Sequence, residues 1–171
     1  MPNSKINRVV DKFKTLKCWV DTIISAILIF IVAAMTVLVT YQVVSRYLFN
    51  SPSAISEVLS RYGFIWLILI GSAYVFGLRE HMAITYVKQK FSEKVQIYIE
   101  MFTEFSTAAF ALSIMIIGGY SSAARQMWQL DSALQIPMGV IYSVIPISGG
   151  LIIFYFLYHE LNLFCRLKHL K

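Results

Sequence analysis

The stretch Thr22–Ser45, TIISAILIFIVAAMTVLVTYQVVS, runs for 24 residues without a charged side chain. A helix needs about 20 mainly apolar residues to cross the hydrocarbon core of a bilayer, so this stretch reads as a transmembrane span. Three further charge-free runs follow: Tyr62–Leu78 with 17 residues, Phe105–Ala124 with 20 and Ser132–Tyr158 with 27. Little of the 171-residue chain is left for a soluble domain. Backbone polar groups must be satisfied internally in lipid, so a spanning chain is helical or a closed barrel. Barrel strands alternate apolar and polar residues, and these continuous apolar runs do not. The expected fold class is all-α: an integral membrane protein with four transmembrane helices plus short amphipathic interfacial segments. One four-helix domain is expected over 1–171, with spans near 19–47, 55–78, 95–124 and 132–159.

Composition agrees. The chain is 58% hydrophobic and 14% charged, whereas a soluble domain carries about a quarter charged residues. The net charge of +6 would suit nucleic acid if it formed one patch, but its distribution follows the spans. Lys5, Arg8, Lys12, Lys14 and Lys17 precede the first run, Arg79, Lys88, Lys90 and Lys94 separate the second from the third, and Arg166, Lys168 and Lys171 follow the fourth. Only Arg46, Arg61 and Arg125 fall on the other side. Cytoplasmic loops collect Lys and Arg, so both termini are expected in the cytoplasm, with no nucleic-acid partner. The first apolar run is too long for a signal-peptide core and no small-residue cleavage site closes it, so it reads as an uncleaved span. Cys18 and Cys165 fall at expected cytoplasmic ends, where a structural disulfide is not expected.

The connections carry local signals. Trp19 stands where the first span enters the membrane, and Trp128 lies in the second outward loop, so both read as interfacial anchors. Asn50-Ser51-Pro52-Ser53 is a turn in which Ser53 caps the next helix. Glu57 and Arg61, four apart, share a face of that helix. His81–Phe91 mixes apolar and basic residues and suits a segment lying in the interface, anchored at His81. Ser92 is a candidate cap for the third helix, whose Glu100 and Glu104 are expected at the inner headgroup level. Gly118-Gly119 permits close helix packing, and Pro146 is expected to bend the fourth span.

The absences restrict function. Ionisable groups inside a membrane mark ion paths and substrate sites, yet the four runs hold none. No carboxylate lies between Thr22 and Ser45 for proton-coupled export, and His81, His159 and His169 all fall outside the runs, against a haem-carrying bundle. No CxxC provides a redox centre. The chain is expected to have no catalytic residue, cofactor or metal, and not to be an enzyme. A self-contained homo-oligomeric transporter or channel stands as the alternative to a subunit of something larger. The outward charged residues Arg46, Glu57, Arg61, Arg125 and Asp131 are the candidate contact surface for a partner. Antiparallel packing is expected to bring Arg46 to Glu57 in a charge-assisted hydrogen bond.

Arg46-Tyr47-Leu48-Phe49-Asn50-Ser51-Pro52, followed by Glu57, Arg61, Phe64, Trp66 and Gly71, resembles the small Q-type membrane subunit of TRAP (tripartite ATP-independent periplasmic) transporters. Glu80-His81-Met82-Ala83-Ile84 matches the family's cytoplasmic amphipathic stretch, and Leu134–Tyr142 with Pro146 matches the start of its fourth span. One position departs: Ser56-Glu57 stands where the family often has a Glu pair. The resemblance implies a small scaffold subunit in the bacterial inner membrane. It implies a large M-type permease subunit and a periplasmic substrate-binding protein as partners, with membrane lipids around them. The implied activity is sodium-driven uptake of an organic acid, either a C4-dicarboxylate or a sugar acid such as sialic acid.

Overall fold

Several serine and threonine hydroxyls inside the spans are satisfied by their own helices. In the first, Thr22 donates to the Cys18 carbonyl, Thr36 to Val32 and Thr40 to Thr36, at 2.7–2.8 Å. Thr103 and Ser113 do the same in the third. Such back-bonding removes the cost of an unmade hydrogen bond in lipid. The protein is described here by a computed structural model, which covers residues 3–51, 53–78 and 93–169, with side chains described for 13–51, 53–78 and 95–163. The anchor His81, the amphipathic segment 81–91, the Ser92 cap, Pro52 and the side chain of Cys165 lie outside the described residues.

Helix α1 (Asn3–Leu48) has 46 residues, a length of about 69 Å. It therefore outreaches a whole bilayer of about 40–45 Å. Helix α2 (Ala54–Leu78) is the second span. Ser53 stands at its N-terminus, with its hydroxyl 3.5 Å from the Ser56 amide. The third span is built in three pieces: α3 (Glu93–Phe110), a π-helical segment (Ala111–Gly118) and α4 (Gly119–Arg125). A 3-10 turn, Gln126–Trp128, ends it. The fourth span is α5 (Met138–Tyr142) and α6 (Val144–His169). Residues 132–137, expected inside it, form an irregular loop instead. Among the described residues there is no strand, only an isolated bridge between Leu130 and Pro137. Four helices are long and apolar enough to cross a membrane.

The break in the fourth span lies at Ser143, three residues before Pro146. Proline has no amide hydrogen, so Tyr142 loses the partner its carbonyl would find four residues on. The chain interrupts the helix there, and the Ser143 hydroxyl folds back onto the Val140 carbonyl at 2.6 Å. The expected bend is thus an interruption one turn earlier.

The fourth span is the centre of the bundle, packed against all three others. The core joins Ile24 of α1, Ile70, Ala73 and Phe76 of α2, Ala111 and Met115 of the π segment, and Val144, Ile152 and Tyr155 of the fourth span. Glycines set several of the close approaches. A β-carbon at Gly77 would lie 2.5 Å from the Tyr155 ring, one at Gly119 2.8 Å from Ile145 Cγ2, and one at Gly149 2.9 Å from Met115 Cβ. Gly119 therefore does the packing expected of the Gly118-Gly119 pair, while Gly118 is exposed. Outward surfaces are apolar: Phe30, Phe102, Tyr120 and Tyr47 are all largely exposed. In lipid such surfaces are solvated, and helix association rests on close packing and polar contacts.

Candidate functional site: polar clusters at the two ends of the bundle

At the end that carries the turn at 49–51 and the 126–137 loop, the turn is closed by Ser45. Its hydroxyl donates to the Ser51 carbonyl at 2.6 Å, and the Ser51 amide returns to the Ser45 carbonyl at 3.2 Å. Asn50 takes the left-handed conformation, φ 47°, which asparagine tolerates. The expected Arg46–Glu57 bond is not formed. Arg46 is exposed and has no polar partner among the described residues, and Glu57 pairs instead with Arg61 one turn on, at 3.3 Å. Arg46 leaves the last turn of α1 pointing to solvent. The shorter Ser45, which is buried, reaches the turn instead.

Asp131 organises the second loop. One carboxylate oxygen accepts the amides of Ala133 and Leu134, both at 2.9 Å, and the other accepts the Tyr62 hydroxyl of α2 at 2.5 Å. The Asp131 amide donates to Ile136 and Met138 donates to Gln129, which closes the loop on itself. Trp66 of α2 donates its indole N–H to the Ile141 carbonyl at 3.2 Å. The loop is thereby locked to α2 through Tyr62, and the helix that follows it through Trp66, two residues whose polar roles were not legible in the sequence. Arg125 stands apart and donates to Ser121 at 2.7 Å. Trp128 is 93% exposed, and Trp19 is also exposed on α1.

The Tyr62 hydroxyl, then the Leu134 and Ala133 amides, hold the Asp131 carboxyl below its ordinary range. A carboxyl whose pKa is depressed on folding stabilises the fold above its unfolded value, about 3.9, and loses that contribution as pH falls through the folded value. The loop is therefore fully held at neutral pH and loosens only in strong acid. Asp131→Ala removes the acceptor at any pH. Amide exchange at Ala133 and Leu134 is expected to quicken at least about tenfold in that variant at pH 7, since a hydrogen bond to a charged group is lost. Unchanged exchange would show that the carboxylate does not hold the loop.

The opposite end joins all four spans. Lys17 pairs with Asp21 at 2.6 Å, and Asp21 accepts the Tyr155 hydroxyl at 2.6 Å. The Lys17 ammonium stands over the Tyr155 and Tyr158 rings, 5.6 and 5.8 Å from their centroids. His159, 3% exposed, donates from Nε2 to the Gly77 carbonyl at 3.2 Å, because a carbonyl can only accept. Its Nδ1 lies 3.6 Å from Glu104 Oε1. A proton carried on either partner makes that contact attractive. Glu104, expected among the headgroups with Glu100, is 8% exposed: it faces the interior because His159 lies opposite it on α6. The sequence held a partial signal, since Lys17 and Asp21, Glu100 and Glu104, and Tyr155 and His159 are each four apart and share a face.

Both clusters fasten helix to helix. Among the described residues, no three His, Cys, Asp or Glu side chains converge to hold a metal ion. Between the clusters the bundle is packed mainly by apolar side chains and close glycine contacts, with the buried hydroxyl of Ser148 among them.

Residues 35–166, about three quarters of the chain, match the family described as tripartite ATP-independent periplasmic transporters, DctQ component. The chain is similar to the sialic acid TRAP transporter small permease protein SiaQ of Vibrio cholerae, 27% identical over 143 residues, which are 84% of this chain and 82% of that protein. It is also similar to a putative TRAP transporter small permease protein of Haemophilus influenzae, 27% identical over 139 residues, covering 81% and 86% of the two chains. The family match and the four apolar helices lead to one assignment: this chain belongs to the DctQ component of the tripartite ATP-independent periplasmic transporters and is a small, multi-pass membrane permease subunit.

Proposed function

We propose that the chain is the static membrane scaffold of a sodium-driven uptake system for an organic acid. In this reading a large permease subunit carries the substrate and sodium sites, and a periplasmic binding protein delivers the substrate. The observation that carries the reading is how the buried polar side chains are used within a chain of this family. Asp21, Tyr155 and His159 each hold one span to another, so the bundle is fastened at an end rather than built around a central ion path. A moving substrate site needs ionisable groups or unwound backbone near the midplane. A sugar acid is the favoured substrate class because one relative at 27% identity is named for sialic acid.

The termini are assigned to the cytoplasm on the twelve-to-three division of Lys and Arg. On that orientation Arg46, Glu57, Arg61, Arg125 and Asp131 face the periplasm, where they form the candidate contact surface for the binding protein or the large subunit.

The test is reconstitution. Liposomes holding this chain alone, supplied with binding protein, labelled sialic acid and an inward sodium gradient, are expected to show no uptake. Liposomes that also hold the large subunit encoded with it are expected to accumulate the label. Sodium-dependent uptake by this chain alone would replace the scaffold with a homo-oligomeric transporter. A complete system that works without a sodium gradient would remove the coupling ion from the proposal.

A further inference from the structure

A cavity of about 370 Å³ lies at the end of the bundle that carries the termini, between α1, α2 and α6. Its wall on α1 is one helical face, Lys14, Lys17, Cys18, Asp21, Thr22 and Ser25. Tyr74 of α2 and Tyr158 of α6 close the other side. The charges inside are not equivalent. Asp21 is neutralised by Lys17 and by the Tyr155 hydroxyl, and Lys17 is itself committed to Asp21 and to two aromatic faces. Lys14 is exposed and has no partner among the described residues, and the Tyr74 hydroxyl donates to none of them. Among the described residues, the cavity thus presents one uncommitted ammonium and uncommitted phenol hydroxyls around an internally balanced ion pair. Those are donors for an anion.

Depth selects the kind of anion. The charge-free run begins at Thr22, so the cavity straddles the border between headgroups and hydrocarbon. From Ser25 the same face of α1 continues at four- and three-residue steps to Ile29 and Val32, both exposed apolar residues within the charge-free run. A phosphate placed at Lys14 and Tyr74 would have its acyl chains directed along Ile29 and Val32. A free phosphate would use only the polar half of this arrangement. We propose that the cavity is a binding site for the phosphodiester headgroup of an anionic phospholipid, held by Lys14 and Tyr74 with its acyl chain along Ile29 and Val32. The site clips a lipid between the first, second and fourth spans, independently of what the transporter carries.

The experiment uses the full chain in nanodiscs of phosphatidylcholine containing a minor fraction of phosphatidylglycerol, with the lipid retained after release counted by native mass spectrometry. Phosphatidylglycerol is expected to be enriched roughly tenfold over its share of the bilayer, the scale of one charge-assisted hydrogen bond. Lys14→Gln and Tyr74→Phe should each reduce the enrichment, and the double variant should abolish it. Lys14 is exposed and Tyr74→Phe removes a single oxygen, so both variants are expected to fold. Arg125→Gln, at the other end of the bundle, should leave the enrichment unchanged. No enrichment in the unaltered chain, or full enrichment in the double variant, overturns the proposal. Displacement of the lipid by millimolar inorganic phosphate overturns the lipid assignment and makes the site one for free phosphate.

Discussion

Gly77→Ala is expected to destabilise the bundle by about 2–3 kcal/mol, the upper part of the range for overpacking a well-filled interior. The new β-carbon would lie 2.5 Å from Cε1 and Cζ of Tyr155. A flexible side chain could swing away, but this ring is fully buried and its hydroxyl is tied to Asp21 at 2.6 Å. The carbonyl of the same glycine accepts from His159, so a shift of α2 to relieve the clash also disturbs the contact with α6. Gly77→Leu should prevent assembly of the bundle. Gly150→Ala provides the contrast, since nothing lies within 4 Å of that position. There the better helix propensity of alanine is free to act, and stability should stay level or rise. Thermal unfolding of the purified chain in detergent, followed by circular dichroism, reads both. Tyr155→Phe frees the ring from Asp21, so Gly77→Ala in that background should cost less than the sum of the single changes. Equal effects of Gly77→Ala and Gly150→Ala would refute the close approach of α2 and α6.

The second large effect is expected at Glu104. Glu104→Ala leaves His159 facing a cavity in the interior. The expected loss is about 2 kcal/mol, set between two limits. An average interhelical polar contact in a membrane contributes about 0.6 kcal/mol, and breaking a buried ion pair costs about 3–5 kcal/mol. The low exposure of both side chains argues for a value well above the lower limit. Glu104→Gln keeps a polar amide of the same shape toward Nδ1, able to donate or accept, and should lose about half as much. If the pair also positions the fourth span for its partner, complex yield with the large subunit should fall in the same order, alanine below glutamine below glutamate. Indistinguishable stability of all three would return Glu104 to the headgroup level at which the sequence alone places it.

Much of this protein is a one-dimensional property of its chain. Span number follows from the length of the charge-free runs, because hydrocarbon thickness is a ruler that acts on each helix separately. The ends of α1 and α2 follow from the polar turn around Asn50–Ser53. The family resemblance rests on motifs in order along the chain, and the comparisons bear it out. The contacts between spans were decided only by tertiary structure. Asp21 and Tyr155 are 134 residues apart, Gly77 and His159 82, and Tyr62 and Asp131 69. Each depends on how a helix is rotated about its own axis. In a soluble protein an apolar stripe announces that rotation. Here the spans are apolar around nearly their whole circumference, lipid solvates any face equally well, and no hydrophobic force selects one for the interior. Rotation is settled instead by a few glycines that admit close approach and a few polar side chains that must find one another. The headgroup position expected of Glu104 and the Arg46–Glu57 bond both required knowing what stood opposite, which the order of residues along one helix does not contain.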